Sequence, residues 1–339
     1  MGKTFHAPLI QSVDGLRLAV VSSRDEEKVK RDLPDVLVVA TPEEAIQHPD
    51  IDVVVIASPN ATHAPLATLA LNAGKHVVVD KPFTLDMKEA RDLIALADEK
   101  QLLLSVFHNR RWDSDFLGIK QIIAQGMLGK VKHLESHIDR FRPEVRVRWR
   151  EQNVPGSGLW FDLGPHLIDQ TLQLFGLPES VQGEYRDAAR GCGDRRWAHV
   201  VLNYPAHKVI LHASMLVAGG TARFTVHGDK GSVVKARIDQ QEAQLLAGVI
   251  PGSETWGEDS DSMVFFGADG ATQTVVTPKG DQRQYYIHVR DALRGEIPHP
   301  VHPVEALAVM AVLEAAVKSS ETGTTQTLAL TAEERALLG

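Results

Sequence analysis

Residues 16–107 constrain the fold most strongly. They hold short, nearly continuous runs of Val, Ile and Leu separated by segments of helical periodicity. The runs are LRLAVVSS (16–23), VLVVA (36–40), DVVVIASP (52–59), HVVVD (76–80) and LLLSVF (102–107). Runs without polar alternation suit strands buried on both faces, as in a parallel sheet covered by helices on either side. The segments between them carry helix signals. Thr41-Pro42-Glu43-Glu44 supplies an N-cap, a proline at the first helical position and a capping-box glutamate. A helix around 64–73 stops at Gly74. Asp86 opens another, whose apolar positions Met87, Ala90, Leu93, Ile94 and Ala97 keep helical spacing.

Beyond residue 110 the pattern changes. A helix around 115–126 leads to the strand-like VKHLESHID and then to a loop bearing Arg140, Arg142, Arg146, Arg148 and Arg150. A helix at 160–175 follows, then the alternating strands AHVVLNY, KVILHASMLV, ARFTVHG and SVVKARI, with HGDKGS as a hairpin turn between the last two. A helix over 303–320 closes the pattern. The expected fold class is α/β: a doubly wound parallel sheet in 1–110, then an α+β domain with a large, mostly antiparallel sheet in 111–323, and a tail over 324–339. The first domain is expected to bind a ligand and the second to provide the substrate side and the oligomer contact. The helix 303–320 is expected to pack back on the first domain. The open face of the second sheet is expected to meet another subunit, giving a homodimer or homotetramer.

A chain of 339 residues accommodates two such domains. Its net charge of −8 argues against a nucleic-acid surface, which needs a local excess of Lys and Arg. The single cysteine, Cys192, excludes an internal disulfide framework and a cysteine metal cluster, and fits a reducing, cytoplasmic compartment. No apolar run approaches the roughly 18 residues that span a bilayer, so no membrane partner is expected. MGKTFHAPLIQ lacks the apolar segment of a secretory signal, and His6 stands where a myristoylation motif wants Ser or Thr.

In open parallel sheets, ligands bind beyond the carboxyl ends of the strands. Ser58-Pro59-Asn60-Ala61-Thr62-His63 follows the third run, Asp80-Lys81-Pro82 the fourth, and His108-Asn109-Arg110-Arg111 the fifth. A lysine at such an end can hydrogen-bond a substrate hydroxyl and stabilise charge developing on oxygen, although position alone also allows a solvated Lys81. Asp162-Leu163-Gly164-Pro165-His166 is the second constellation. Asp162 and His166 are four apart and share a helix face, and Gly164-Pro165 suggests that the helix begins there. A carboxylate beside an imidazole suits a general base, while a capping aspartate with an unrelated histidine remains open. A metal site finds no support, because neither HExxH nor a cysteine pair is present.

PNATHAPLATLALNAGKHVVVDKP, HNRRWDSDF, GSGLWFDLGPHLIDQ and VHGDKGSVVKA together resemble the glucose–fructose oxidoreductase / inositol dehydrogenase (Gfo/Idh/MocA) family. The likeness runs from Thr4 to Gly323 and implies a Rossmann-type first domain. Family members carry E-K-P after this strand, read here as Asp80-Lys81-Pro82, and D-x-x-x-H in the second domain, matched by Asp162 and His166. The resemblance implies an NAD(P)-dependent oxidoreductase acting on a sugar or polyol, with Lys81, Asp162 and His166 catalytic. In that scheme His166 takes the hydroxyl proton, Lys81 steadies the oxygen and Asp162 orients His166. It also implies cofactor contacts from Gly2, Ser23, Arg24, Ser58, Pro59, Asn60, His63, Asp80, Lys81, Pro82 and Asn109. Some relatives are non-catalytic sensors, which is the alternative reading.

The resemblance departs in two places. Family members begin with an apolar strand and G-x-G-x-x-G, whereas only Gly2 aligns here, with the third glycine; Phe5, Leu9, Ile10 and Val13 form the following helix's apolar face. Losing five buried aliphatic residues would forfeit about 8–15 kcal/mol at roughly 1.5–3 kcal/mol each, comparable to a typical total stability of about 5–15 kcal/mol. The expectation is a misplaced start with a short segment missing upstream, or a true truncation that has lost cofactor binding. In Glu184–Arg196, EYRDAARGCGDRR replaces the relatives' alternating strand and loop, as a polar loop or an out-of-frame tract. At the end of the second family strand, Ser23 stands where NAD enzymes place an acid and Arg24 follows, favouring NADP, with NAD left open by Asp25. Arg24 could equally pair with Glu27, and the arginines of 140–150 could meet an acidic substrate or only solvent.

Overall fold

The structure is a computed structural model that describes residues 1–144, 154–186 and 196–339. The five apolar runs form short parallel strands: β1 (Val20–Ser22), β2 (Leu37–Val39), β3 (Val53–Ile56), β4 (His76–Val79) and β5 (Leu104–Val106). They make two separate pieces, a β1–β2 pair and a three-stranded β3–β4–β5 sheet. Among the described residues, β1 and β3 each keep one edge without a strand partner. Only β4 has neighbours on both sides, and its Val77, Val78 and Val79 are fully buried.

Local chemistry sets the helices. Thr41 caps Pro42–Gln47 through a complete capping box with Glu44, and the Asp86 carboxylate accepts from Glu89 N–H to open Met87–Lys100. Helical turns run from Gly2 to Gln11 and bury Phe5, Leu9 and Ile10, with Val13 just beyond, against Val78, Phe107, Tyr285 and Tyr286.

The second half is built on an eight-stranded sheet of order β13-β12-β11-β10-β6-β9-β8-β7. These strands are β6 (Val131–Asp139), β7 (Ser180–Arg186), β8 (Trp197–Asn203), β9 (Lys208–Ser214), β10 (Phe224–Gly228), β11 (Gly231–Lys235), β12 (Met263–Gly267) and β13 (Thr272–Val275). All pairs are antiparallel except β6 with β9. The helices Leu159–Phe175 and Pro303–Thr322 cover one face. Gly183 on β7 lets the second of them approach, since a Cβ there would lie 3.0 Å from the Ala316 carbonyl oxygen. That helix also reaches the first half, where Glu314 accepts a 2.9 Å bond from Met87 N–H.

One expectation needs correction. Pro165 does not start its helix: the chain turns at Gly156 and Gly158, both at positive φ, and the helix begins at Leu159. The proline sits inside it and leaves the Phe161 carbonyl without its helical donor. A further helix, Arg283–Leu293, precedes the helix Pro303–Thr322. The tail holds a short helix, Ala332–Ala336, and Gln326 bridges to Val181. In the Glu184–Arg196 stretch, β7 continues to Arg186 and pairs with β8, while 187–195, with Cys192, lie outside the described residues. Arg146, Arg148 and Arg150 lie outside them too.

Candidate active site

Lys81 leaves the end of β4, the central strand of its piece, and is only 4% exposed. Its Nζ donates to the Asp162 carbonyl oxygen at 2.6 Å and to Asp162 Oδ1 at 2.9 Å. Asp162 stands on the first turn of the helix Leu159–Phe175, and His166 one turn further along the same face, followed by Asp169 and Gln170. The Asp162 carboxylate is thus engaged with Lys81. No hydrogen bond links it to His166 among the described residues, in contrast to the expected orienting role. His166 is buried, and its Nδ1 has no hydrogen-bond partner among the described residues. Burial pushes its imidazole well below the ordinary value, and the charges of Lys81 and Arg110 push the same way.

The turn after β5 completes the floor. Asn109 donates to Gln282 Oε1 at 2.9 Å and leaves its own Oδ1 buried and unpartnered among the described residues. Arg111 grips Asp169 through Nε and Nη2, the shortest contact being 2.7 Å, and reaches Glu305 at 3.3 Å. Arg110 pairs with Asp113 at 3.0 Å and Glu242 at 2.9 Å, and Gln170 donates to the Arg110 carbonyl. Burial favours a neutral Glu242, but Arg110 and Arg140 hold it below its ordinary value. Burial raises Asp113 well above the carboxylate range, with Asp239 adding to the effect. Arg110, Arg111 and His108 stood at a strand end, where ligands are sought. Asp113 is a near neighbour of Arg110, but Glu242, Asp169 and Glu305 lie 58 to 194 residues from the arginines they meet, so local sequence carried no signal for those pairings.

The remaining expected cofactor residues have varied engagements. Asn60 donates to the Gly156 carbonyl at 2.7 Å and so joins the loop after β3 to the turn before the helix. His63 lies between the carbonyl oxygens of Pro82 (2.9 Å) and Ser58 (3.1 Å), and the Ser58 hydroxyl meets Thr62 at 2.5 Å. Pro59 precedes the short turn Asn60–Thr62. Asp80 is buried, accepts from Lys81 N–H at 2.8 Å and lies 3.9 Å from His6 Nε2. Ser23 and Arg24 follow β1, where Ser23 folds into a local turn with Asp25. Asp25 is committed as a helix cap, accepting from Lys28 N–H at 3.0 Å. Arg140 lies 3.5 Å from Glu242. Among the described residues no cluster of His, Cys, Asp and Glu has metal-holding geometry, and no helix is long and apolar enough to cross a membrane.

A small open cleft is lined by Asn60, Lys81, Pro82, Gly156, Ser157, Gly158, Phe161 and Asp162. The turn at Gly156–Gly158 forms one wall of it. That turn is tied to glycine, since a Cβ on Gly156 would meet Leu85 Cδ2 at 2.5 Å.

The family model described as "Oxidoreductase family, NAD-binding Rossmann fold" matches residues 1–108, and "Oxidoreductase family, C-terminal alpha/beta domain" matches 120–329. The chain belongs to the Gfo/Idh/MocA oxidoreductase family. Within it, the chain is 49% identical over 330 residues to the uncharacterized oxidoreductase YdgJ of Escherichia coli, covering 96% of this chain and 95% of that one. It is 36% identical to the scyllo-inositol 2-dehydrogenase (NADP(+)) IolW of Bacillus subtilis, covering 94% and 91%. A crystal structure from Klebsiella pneumoniae superposes with a TM-score of 0.93 at 72% identity, covering 99% of this chain and 94% of that one. The family's nicotinamide dinucleotide fits the residues present at its reacting end, where the buried His166 Nδ1 lacks a partner among the described residues and feels the charge of Lys81. The first helical turn also begins beside β3's carboxyl end, where a Cβ on Gly2 would lie 4.0 Å from Ala57 Cβ. A helix start at a parallel strand's carboxyl end is where a pyrophosphate is held.

Proposed function

We propose that this protein is an NADP-dependent dehydrogenase or reductase of a sugar or polyol CH–OH group, with Lys81, Asp162 and His166 as its catalytic residues. The observation that carries this reading is the pairing of the buried Lys81 with the half-buried Asp162 at 2.9 Å, beside a buried imidazole whose Nδ1 has no partner among the described residues. The bound nicotinamide supplies the hydride acceptor or donor. Two of the lysine's three N–H groups go to Asp162, which leaves one for the substrate oxygen. An ammonium so held stabilises negative charge developing on that oxygen. His166 is kept neutral by burial and therefore receives the hydroxyl proton at Nδ1 in oxidation and returns it in reduction. Asp162 acts on the lysine, fixing Nζ from two oxygens, rather than on the imidazole.

Support for NADP comes from Arg24 after β1 and from Asp25, whose carboxylate is already used as a cap. The relative from Bacillus subtilis is described as NADP(+)-dependent, and one from Thermotoga maritima, 26% identical, as a myo-inositol 2-dehydrogenase. Both inositols are therefore the first substrates to try. The test is NADPH formation from NADP and each inositol by the parent, Lys81→Ala and His166→Ala. Each variant is expected to lose at least about a hundredfold in turnover with an unchanged circular dichroism spectrum, since proton-transfer groups contribute roughly 10²–10⁴. Near-parental rates in either variant would overturn the assignment.

A further inference from the structure

Behind Lys81 runs a buried chain of contacts that the proposed reaction does not use. Asp80 Oδ1 accepts from Lys81 N–H at 2.8 Å, and Asp80 Oδ2 lies 3.9 Å from His6 Nε2. On the far side of the ring, His6 Nδ1 is 2.6 Å from the Tyr286 hydroxyl. All of these residues are buried, and the His6 ring centroid is 4.2 Å from that of Phe107. The chain joins three separate elements: the first helical run, the end of β4 and the helix Arg283–Leu293.

The direction of these bonds follows from the groups. Burial favours a neutral Asp80, yet His6 and Lys81 hold it below the ordinary carboxylate value, so it only accepts. The nitrogen facing it, His6 Nε2, therefore carries a proton. On the other side, Nδ1 meets Tyr286, whose phenol burial raises well above its ordinary value and so keeps as a hydroxyl. The contact at 3.9 Å is too long for a hydrogen bond and leaves Nε2 without a hydrogen-bond partner among the described residues, so the attraction acts through space.

We propose that His6 is a positioning residue for Lys81: gripped by Tyr286, it aims its Nε2–H at Asp80, which fixes the backbone from which the lysine projects. This rests on the proposed catalytic role of Lys81, and it means that the lysine is held from behind through its backbone as Asp162 holds it in front.

Two substitutions separate the two ends of the ring. His6→Asn keeps a polar group near Tyr286 but loses the reach to Asp80, whereas His6→Gln keeps an N–H toward Asp80 and gives up Tyr286. Amide hydrogen exchange at Lys81 in the cofactor-free protein reports on the backbone, and kcat with KM reports on the reaction. His6→Asn is expected to speed exchange at Lys81 and lower kcat, each by about tenfold, with KM and exchange in β8 unchanged. His6→Gln is expected to keep most of both. Equal effects in the two variants, or unchanged Lys81 exchange in folded His6→Asn, would overturn the proposal. Should His6→Asn fail to fold, Asp80→Asn, which removes the charge that Nε2–H is aimed at, carries the test, with faster Lys81 exchange expected and no change counting against the proposal. Exchange needs no turnover, so active Lys81→Ala would sink the catalytic reading while leaving the contact chain to be judged separately.

Discussion

In the parallel half, β1 and β2 run three residues each and their side chains are half-buried or exposed, with Leu37 46% exposed. In the antiparallel half, β6 runs nine residues and β7, β8 and β9 seven each, in one continuous sheet. A three-residue strand with one partner buries little, while a strand flanked on both sides under a helix buries everything on that face. The proposed site draws on these regions unequally. Lys81 comes from β4, the one doubly flanked parallel strand, and Asp162 and His166 from a 17-residue helix packed against β8 and β9. Ser23 and Arg24, the proposed selectors of the dinucleotide, hang from the β1–β2 pair. The chemistry therefore rests on well-covered elements and cofactor choice on a loosely covered one.

The sharpest way to test that contrast is to pair the open edges. Fusing an apolar strand and a glycine-rich turn ahead of Met1 offers β1 and β3 a partner, at roughly 1.5–3 kcal/mol for each aliphatic residue that becomes buried. Thermal unfolding is expected to move up by several degrees, with NADPH affinity measured by fluorescence rising by at least about tenfold. Unchanged melting and unchanged affinity would mean that the split sheet costs the molecule nothing. A pair of substitutions makes the same comparison one residue at a time. Asp162→Ala takes the carboxylate from the buried Lys81 ammonium, leaving it the backbone carbonyl alone, and is expected to cost about 1–3 kcal/mol in urea unfolding. Arg24→Ala is expected to stay within about 0.5 kcal/mol in stability yet weaken NADPH binding about tenfold, leaving NADH unaffected. A reversed pattern would break the division between the two regions.

The parallel strands were legible because continuous β-branched runs have few other uses, and the Thr41 and Asp86 caps because capping is chemistry between neighbours in sequence. Lys81, Asp162 and His166 were marked as candidates by position at a strand end, by helical spacing and by the family resemblance, and the structure brings Lys81 and Asp162 into contact. What sequence could not supply was partnership. Spacing of four suggested that Asp162 serves His166, but a carboxylate on a helix face pairs with whatever cation another element delivers, and β4 delivers Lys81. The Arg111–Asp169 and Arg110–Glu242 pairs were hidden for the same reason. Pro165 misled because a proline inside a helix is rarer than one at its start, whereas here the turn is made earlier, at Gly156 and Gly158.

A smaller effect is expected on the second sheet's uncovered face. Val201, Ile210 and Val264 are half-buried there and Phe266 is 44% exposed, beside His133, Glu135, His137 and Asp139, which form a hydrogen-bonded cluster. Apolar side chains interleaved with hydrogen-bonded polar ones suit a self-complementary contact, and we propose that two copies meet through this face. Light scattering at micromolar concentration is expected to give at least twice the chain mass, and Phe266→Asp to shift the distribution toward monomer. A monomer in the parent would leave this face without the proposed role.

The smallest effect expected is that of pH near neutrality, and it follows from where the imidazoles sit. Burial lowers His166 well below the ordinary 6.5, and burial also lowers His108 despite the attraction of Asp169. A base with a depressed value is already unprotonated at neutral pH, so the rate of oxidation is expected to change little with His166 protonation there and to fall only on the acid side of 6.5. Stability follows the same sign. The unfolded chain takes up protons at these histidines before the folded one does, so their contribution is present above the ordinary value and is lost as pH falls toward the lowered folded one. Carboxylates held low, such as Asp80 and Asp139, remain ionised until a more acid range and do not offset this loss. The check is a pair of curves, kcat and urea stability against pH, for the parent and for His166→Gln. An inflection in the parent's kcat at or above 6.5 that vanishes in the variant would show His166 to be a solvated base, and the buried, neutral imidazole on which the proposed proton transfer depends would have to be abandoned.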